Sequence, residues 1–276
     1  MTASEGFYRK FGISQGRLTE SNELQRFPSE AWQLEFVNAS NIGISFIELL
    51  TERELNNDNP VWSKEGRDEI KDIANINNCE IYSICIDYII NHSLLDDRNG
   101  TTLKHVEDIF DVASKLGCSV IVFPLLEESN IDSHNMKAYS KIFKYLSDKA
   151  SKYGLLICIE SLLIASKLVQ FLELINRENT KAVFDTGNRA MESEDLYSEI
   201  LILDKHIAHV HIKDKNSNGE NVILGTGLVN FKKIFAALKL INYEGPLNFE
   251  TTRGKNPIET AKFHMALCNF FTYDSA

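Results

Sequence analysis

The feature that most constrains this chain is a regular alternation of short apolar runs with longer stretches of helical period. Eight such pairs follow one another along the 276 residues. Near-continuous apolar runs are typical of parallel strands buried on both faces, and a helix after each strand is the pattern that connects them. The alternation therefore predicts an α/β fold built from eight strand-then-helix units.

The predicted elements follow from these runs and from the residues that bound them. Ser29 is expected to cap the first helix, and Gly117 and Gly154 are expected to end later ones. In the second helix Ile70, Ile73, Ala74 and Ile76 are expected to face inward. The predicted strands are 11–14, 44–50, 81–86, 120–124, 155–159, 182–184, 207–212 and 246–249, and the predicted helices are 29–43, 65–77, 101–116, 135–153, 165–175, 196–203, 231–240 and 258–271.

Eight units in a chain of this length match a closed (β/α)8 barrel, the TIM barrel. With five prolines, the chain has no linker rich in Pro, Gly and Ser that would separate two domains. A doubly wound open sheet would need a glycine-rich phosphate turn after the first strand, and residues 12–16 lack its third glycine. We therefore predict a single TIM-barrel domain over residues 1–276.

Charge and cysteine content restrict the class of protein further. The chain has 29 basic and 39 acidic residues, a formal net charge of −10, which argues against a nucleic-acid partner. Five cysteines without a CxxC pair indicate reduced thiols in a cytosolic protein. Residues 1–6 lack the features of a signal peptide, and the most apolar stretch, 155–169, is too short and too charged to span a membrane. We expect a soluble, cytoplasmic protein with no membrane partner.

Polar side chains stand where four consecutive predicted strands end. They are Glu160, Asp185, His211 and Glu250. The carboxyl ends of barrel strands form one rim, so these side chains are expected to lie together. Three carboxylates in a small volume repel one another, and a divalent cation removes that conflict. Oxygen ligands with one imidazole favour Mn²⁺ or Mg²⁺, and Co²⁺ and Zn²⁺ remain compatible.

Further polar residues near this rim are candidate substrate contacts. Arg17, Lys213 and Arg253 lie at or just beyond strand ends, and together with the loop 225–227 they are expected to hold a phosphate or a carboxylate. His92 follows the third strand and is a candidate sugar contact. On the seventh strand we expect only one of His209 and His211 to face the interior, with Asp214 orienting it.

Several motifs, in the order in which they occur, resemble those of the sugar phosphate isomerase/epimerase family, the xylose isomerase-like TIM barrels. The resemblance runs over nearly the whole chain. The motifs are Gly12-Ile13-Ser14-Gln15-Gly16-Arg17-Leu18, Ser83-Ile84-Cys85-Ile86-Asp87-Tyr88, Phe184-Asp185-Thr186-Gly187-Asn188, His209-Val210-His211-Ile212-Lys213-Asp214, Leu224-Gly225-Thr226-Gly227 with Val229-Asn230-Phe231, and Asn242-Tyr243-Glu244-Gly245-Pro246-Leu247 leading to Glu250.

The resemblance implies an activity and roles for particular residues. In the ketose 3-epimerase branch a Glu, an Asp, a His and a second Glu hold the metal, and they match Glu160, Asp185, His211 and Glu250. The two glutamates there also transfer the proton through a metal-stabilised enediolate. Asn188 stands where many relatives that act on free ketoses carry a His, and it is a candidate contact for a sugar hydroxyl. The resemblance implies a small-molecule sugar or sugar phosphate as substrate, and a dimer or tetramer.

Three alternative functions would use the same kind of barrel. A dehydratase of a polyol or keto acid would use the same metal and then expel a hydroxyl. A sugar-binding barrel without catalysis would retain the fold and the ligands. An apurinic endonuclease needs further histidines at the second, third and sixth strand ends, and this sequence lacks them there.

Overall fold

A closed barrel of eight parallel strands forms the centre of the structure, a computed structural model that describes residues 10–21 and 23–274. Each strand pairs with the next along the chain, and the first pairs with the last. The strands are β1 (Phe11–Ser14), β2 (Phe46–Thr51), β3 (Glu80–Ile86), β4 (Val120–Leu125), β5 (Leu156–Ser161), β6 (Thr180–Asp185), β7 (Ile207–Ile212) and β8 (Leu247–Phe249).

Helices follow the strands and cover the outside of the barrel. They are α1 (Trp32–Ile42), α2 (Lys64–Ile76), α3 (Tyr88–Asn91), α4 (Thr101–Leu116), α5 (Met136–Ala150), α6 (Ala165–Ile175), α7 (Thr186–Ala190), α8 (Leu196–Leu203), α9 (Phe231–Leu240) and α10 (Pro257–Asp274). The two shortest, α3 and α7, continue directly from the carboxyl ends of β3 and β6. They therefore belong to the loops of the rim where the predicted site lies.

The apolar core has two parts. The larger part lies between the strands and the helices and contains residues such as Phe123, Phe143 and Phe171, all fully buried. The smaller part lies inside the barrel and contains Leu50, Val122 and their neighbours on β3 to β6. This arrangement explains why the strands read as continuous apolar runs, since both of their faces are buried.

A close approach between β1 and β2 depends on one glycine. Gly12 pairs with Phe46 across the two strands. A Cβ atom at position 12 would lie 2.0 Å from the Phe46 ring, so a side chain cannot fit there without a shift. The Phe46 ring therefore fills the space that Gly12 leaves, which lets β1 and β2 pair while a large aromatic side chain stays buried.

The structure confirms the predicted fold class and corrects some details. Helix α1 begins at Trp32 with Ala31 at its N-cap, so Ser29 is not the cap. The prediction for Ile76 is wrong, because it is 81 % exposed at the last turn of α2. Gly117 ends α4 in the left-handed conformation, as predicted. The predicted helix 135–153 ends earlier, at Ala150, and Gly154 ends the short 3-10 helix Ser151–Tyr153 that follows it. Residues 1–6, which carry the expectation about a signal peptide, lie outside the described residues.

None of the helices in the described part of the chain is both long and apolar enough to pass through a bilayer.

Candidate metal centre and active site

Four side chains from four consecutive strands meet at one rim of the barrel. Glu160, Asp185, His211 and Glu250 each offer one ligand atom, and these atoms all lie within 4.8 Å of one another. Glu160 and Asp185 lie on β5 and β6, His211 on β7, and Glu250 directly after β8. The structure thus brings together the four residues predicted as metal ligands.

His211 directs its Nδ1 atom towards the three carboxylates. The distances from Nδ1 are 3.7 Å to Glu160 Oε2, 3.8 Å to Asp185 Oδ2 and 3.0 Å to Glu250 Oε2. The imidazole is 1 % exposed. The imidazole nitrogen and the carboxylate oxygens therefore surround a common space at the floor of the rim.

Lys213 lies beside this space. Its Nζ is 3.0 Å from Asp185 Oδ2 and 2.8 Å from Glu250 Oε2. The side chain is 5 % exposed, and its stem packs so closely on Gly187 that a Cβ there would lie 2.8 Å from Lys213 Cγ. The Lys213 ammonium thus offsets part of the negative charge of the cluster.

The unsatisfied polar atoms in the cluster fit a divalent cation. Three buried atoms, His211 Nδ1, His211 Nε2 and Asp185 Oδ2, have charged neighbours at 3.0 Å but make no well-aligned hydrogen bond within the described residues. Buried polar atoms without a hydrogen bond are rare and call for a ligand or a water. Three carboxylates and one imidazole form a donor set suited to Mn²⁺ or Mg²⁺. These four residues can therefore hold such an ion.

The two glutamates of the cluster have opposite electrostatic surroundings. Burial raises the pKa of Glu160 to about 7, and the nearby Asp185 adds to this rise. Burial alone would also raise the pKa of Glu250, but Lys213 and His211 hold it well below its usual range. Proton-transfer sites commonly hold such pairs of carboxyl groups with separated pKa values.

A buried carboxylate on β2, Glu48, lies beneath the cluster. Burial alone would raise its pKa, but His211 and His209 hold it well below its usual range. Both histidines face the interior, because their Nε2 atoms lie 3.0 Å and 2.9 Å from Glu48 oxygens. The expectation that only one of them does so is wrong, since residues two apart on a strand point to the same side.

Asp214 supports the loop after β7 and does not orient a histidine. Its carboxylate accepts hydrogen bonds from the backbone N–H groups of Gly225, Gly227 and Val229. The N–H groups of residues 225 and 227 are therefore already engaged with a carboxylate. This contact contradicts the expectation that the loop 225–227 holds an anion.

The candidate substrate contacts fall into two groups. Arg17, Asn188 and Lys213 line a cavity of about 240 Å³ above the cluster. The Asn188 side-chain amide donates to Glu160 Oε1 at 2.6 Å, and Arg17 Nη2 lies 3.6 Å from Glu250 Oε1. Asn188 thus contacts Glu160, and Arg17 and Lys213 contact Glu250.

Arg253 and His92 lie away from this cavity. The Arg253 guanidinium donates to the backbone carbonyls of Gly16 and Glu23, so it holds the loop after β1 in place. The His92 ring stacks on Tyr88 at 4.1 Å and contacts Glu54 at 3.1 Å. The structure therefore does not bring these two residues to the cluster.

Sequence reasoning missed several polar residues of the cavity. Besides Glu48, the wall includes Gln25, Arg53 and Asp87. Asp87 is buried at the end of β3, where burial raises its pKa to about 6 and Gln25 donates a hydrogen bond to it. Its place after an apolar strand was a usable signal, because the predicted ligands were found by the same rule.

The sequence is similar to those of known proteins. A family model described as the xylose isomerase-like TIM barrel matches residues 36–268. The chain is 28 % identical over 158 residues to an L-ribulose 3-epimerase from Methylomonas sp. (strain DH-1), covering 56 % of this chain and 54 % of the relative. It is 32 % identical over 114 residues to a ketose 3-epimerase from Arthrobacter globiformis, covering 38 % of each. The chain thus spans about half or less of the length of these relatives.

A solved structure supports the same fold. D-psicose 3-epimerase from Clostridium cellulolyticum H10, determined with D-tagatose, superposes with a TM-score of 0.76 at 15 % identity. The superposition covers 95 % of this chain and 99 % of that one. At this level of identity the likeness concerns the fold alone.

Proposed function

Because this chain belongs to the xylose isomerase-like TIM barrel family, we propose that it is a divalent-metal-dependent sugar epimerase or isomerase in which Glu160 and Glu250 transfer the proton. The observation that carries this proposal is the convergence of four ligand atoms within 4.8 Å at the end of the barrel. The named relatives are epimerases of ketoses, which favours 3-epimerisation over the other reactions of the family. A sugar phosphate remains within the proposed substrate class.

Glu160, Asp185, His211 and Glu250 would hold the cation. A bound divalent cation supplies electrostatic stabilisation for negative charge that develops on substrate oxygens when a proton next to a carbonyl is removed. The side chains of the protein bind the substrate and transfer the proton. Glu160 and Glu250 come from β5 and the end of β8, and both line the cavity.

Each glutamate has a polar neighbour that fixes its orientation. The Asn188 amide donates to Glu160 Oε1, which leaves Oε2 for the cation or for a proton. Lys213 Nζ and Arg17 Nη2 approach the two oxygens of Glu250 from different directions. Inversion at one carbon requires a base on one face of the substrate and an acid on the other, and the two glutamates fill these roles.

The test is a proton-exchange screen in D₂O with Mn²⁺ present. Ketoses, their phosphates and keto acids are incubated with the full chain, and deuterium uptake and product identity are followed by mass spectrometry and NMR. We expect the product to be an epimer of the ketose that carries deuterium and has lost no water. The E160Q and E250Q variants should each lower turnover by about 10²–10⁴-fold.

A control and three opposing outcomes complete the test. The control is E178Q, which alters an exposed glutamate on the loop before β6, at the opposite end of the barrel. It should keep full turnover. Full turnover in E160Q or E250Q would contradict the assignment of the acid and base. Loss of water from the product would identify a dehydratase, and Mn²⁺ binding without exchange of any substrate would identify a sugar-binding protein.

A further inference from the structure

The barrel interior beneath the four ligands contains a second polar group, centred on the Glu48 carboxylate. Glu48 is 2 % exposed and comes from the apolar run of β2. A buried carboxylate costs several kcal/mol unless hydrogen-bond donors surround it. The proposed reaction does not use Glu48, so the reason for its place in the barrel has to come from its contacts.

The first oxygen of Glu48 contacts β1, β7 and β8. Asn248 donates to Oε1 from its side-chain amide at 3.0 Å, and Ser14 Oγ donates to it at 3.3 Å. The third neighbour of Oε1 is His211 Nε2, also at 3.0 Å. Glu48 and His211 lie on β2 and β7, which are not adjacent, so this contact crosses the barrel.

The second oxygen of Glu48 contacts β3 and β7. Ser83 Oγ donates to Oε2 at 2.7 Å, and the His209 Nε2 atom lies 2.9 Å away. His209 is fully buried and packs against Tyr82 with nearly parallel rings. The carboxylate is thus held from both sides, by His209 on one oxygen and by His211 on the other.

These contacts decide which nitrogen of each ring carries a proton. An ionised carboxylate accepts hydrogen bonds and cannot donate them. His209 Nε2, which hydrogen-bonds to Glu48 Oε2, therefore carries hydrogen. Hydrogen is also assigned to His211 Nε2, because a nitrogen lone pair 3.0 Å from an ionised carboxylate oxygen would be repelled by it. With hydrogen on Nε2, the neutral His211 ring keeps its lone pair on Nδ1, the atom that faces Glu160, Asp185 and Glu250.

We propose that Glu48 is a positioning residue for the metal centre: it anchors His211 through Nε2 and so presents Nδ1 of that ring to the cation, while His209 holds the Glu48 carboxylate in place. This inference rests on the proposed function, because it assumes that the four ligands bind a divalent cation. Carboxylates that accept from the outer nitrogen of a metal-binding histidine fix its tautomer and ring orientation.

The first test measures Mn²⁺ affinity, a quantity independent of turnover. Isothermal titration of the full chain with Mn²⁺ is repeated on E48Q, which keeps the shape of the side chain and removes its charge. We expect the dissociation constant to rise by about 10–100-fold. The matched control is E35Q, which changes another buried carboxylate, one that accepts from the Gly16 and Leu18 backbone and contacts none of the four ligands.

The possible outcomes distinguish a failure of the inference about Glu48 from a failure of the proposed function. If wild type binds Mn²⁺ and E48Q binds it within twofold of wild type, Glu48 does not position the ligand and the inference is wrong. If E35Q weakens binding as much as E48Q does, the effect is general destabilisation and the inference is also wrong. If wild type binds no divalent cation, the proposed function fails, and the inference fails with it.

A second measurement does not depend on whether E48Q folds. Wild-type protein labelled with ¹⁵N at histidine is titrated with Zn²⁺, which is diamagnetic, and NMR reports which ring nitrogen carries hydrogen and which binds metal. We expect hydrogen on Nε2 and the metal on Nδ1 for His211, and hydrogen on Nε2 for His209. Metal on Nε2 of His211, or Nε2 of His209 without hydrogen, would overturn the inference.

Discussion

His264 should make the stability of this protein depend on pH below neutrality. The side chain lies on α10, is fully buried, and burial lowers its pKa to about 4. Its Nε2 accepts a hydrogen bond from the Leu224 backbone N–H at 3.3 Å, so the hydrogen lies on Nδ1, 3.0 Å from Thr251 Oγ. A proton on Nε2 would remove that acceptor, which agrees with a neutral ring in the folded protein.

The size of the effect follows from the pKa in the two states. In the unfolded chain a histidine has a pKa of about 6.5. Between pH 6.5 and 4 the unfolded state binds a proton at position 264 that the folded state does not bind, so the free energy of unfolding falls as the pH falls. Above pH 6.5 the neutral His264 makes its full contribution to the free energy of unfolding. The loss reaches about 2 kcal/mol at pH 5 and approaches about 3 kcal/mol below pH 4.

The assay is urea unfolding of wild type and H264Q at pH 8 and pH 5. Glutamine keeps an acceptor for the Leu224 N–H and removes the titrating ring. The difference in the free energy of unfolding between wild type and H264Q should therefore shift by about 2 kcal/mol in favour of H264Q on going to pH 5. Other groups titrate in both proteins and cancel in this comparison.

The exposed His134 provides the control for the same experiment. H134Q should stay within about 0.5 kcal/mol of wild type at both pH values, because surface substitutions have small effects. A wild-type and H264Q difference that is constant to within about 0.5 kcal/mol between the two pH values would refute the reasoning. His264 would then be accommodated as a charged ring.

Two further predictions concern packing and the loop after β1. The G12A variant should lose about 1–3 kcal/mol of unfolding free energy in urea, because the new Cβ would meet the Phe46 ring at 2.0 Å; stability equal to wild type would mean that the ring moves freely. The R253A variant should lose about 1–3 kcal/mol of unfolding free energy in urea, because the carbonyls of Gly16 and Glu23 lose their donor. Its turnover of free and of phosphorylated sugars should fall equally. A loss of turnover confined to phosphorylated sugars would show that Arg253 holds the phosphate.

The sequence was most informative where a polar residue interrupts an apolar strand at its carboxyl end. Glu160, Asp185, His211 and Glu250 were found in this way, because parallel strands of a barrel bring their ends to one rim. The number and order of the strands were equally accessible, since burial of both faces leaves a continuous apolar run in the sequence.

Glu48 was missed for a physical reason. It lies in the middle of β2, where the rule about strand ends does not apply, and its partners come from residues near positions 14, 83, 209 and 248. The surroundings of Arg253 depend on where a loop places two backbone carbonyls, and those of His92 depend on the course of the chain after β3. Neither placement leaves a periodic signal in the sequence.

The Glu48 contacts also bear on the order of events during folding. They join residues separated by 34, 35, 161 and 200 positions along the chain. A partly folded barrel that contains β2 but lacks β7 and β8 also lacks most of these donors, so Glu48 either stays open to water or is buried at a cost of several kcal/mol. Half-barrels are therefore penalised, closure of the ring becomes more cooperative, and the long sequence separations make the final closing step slow.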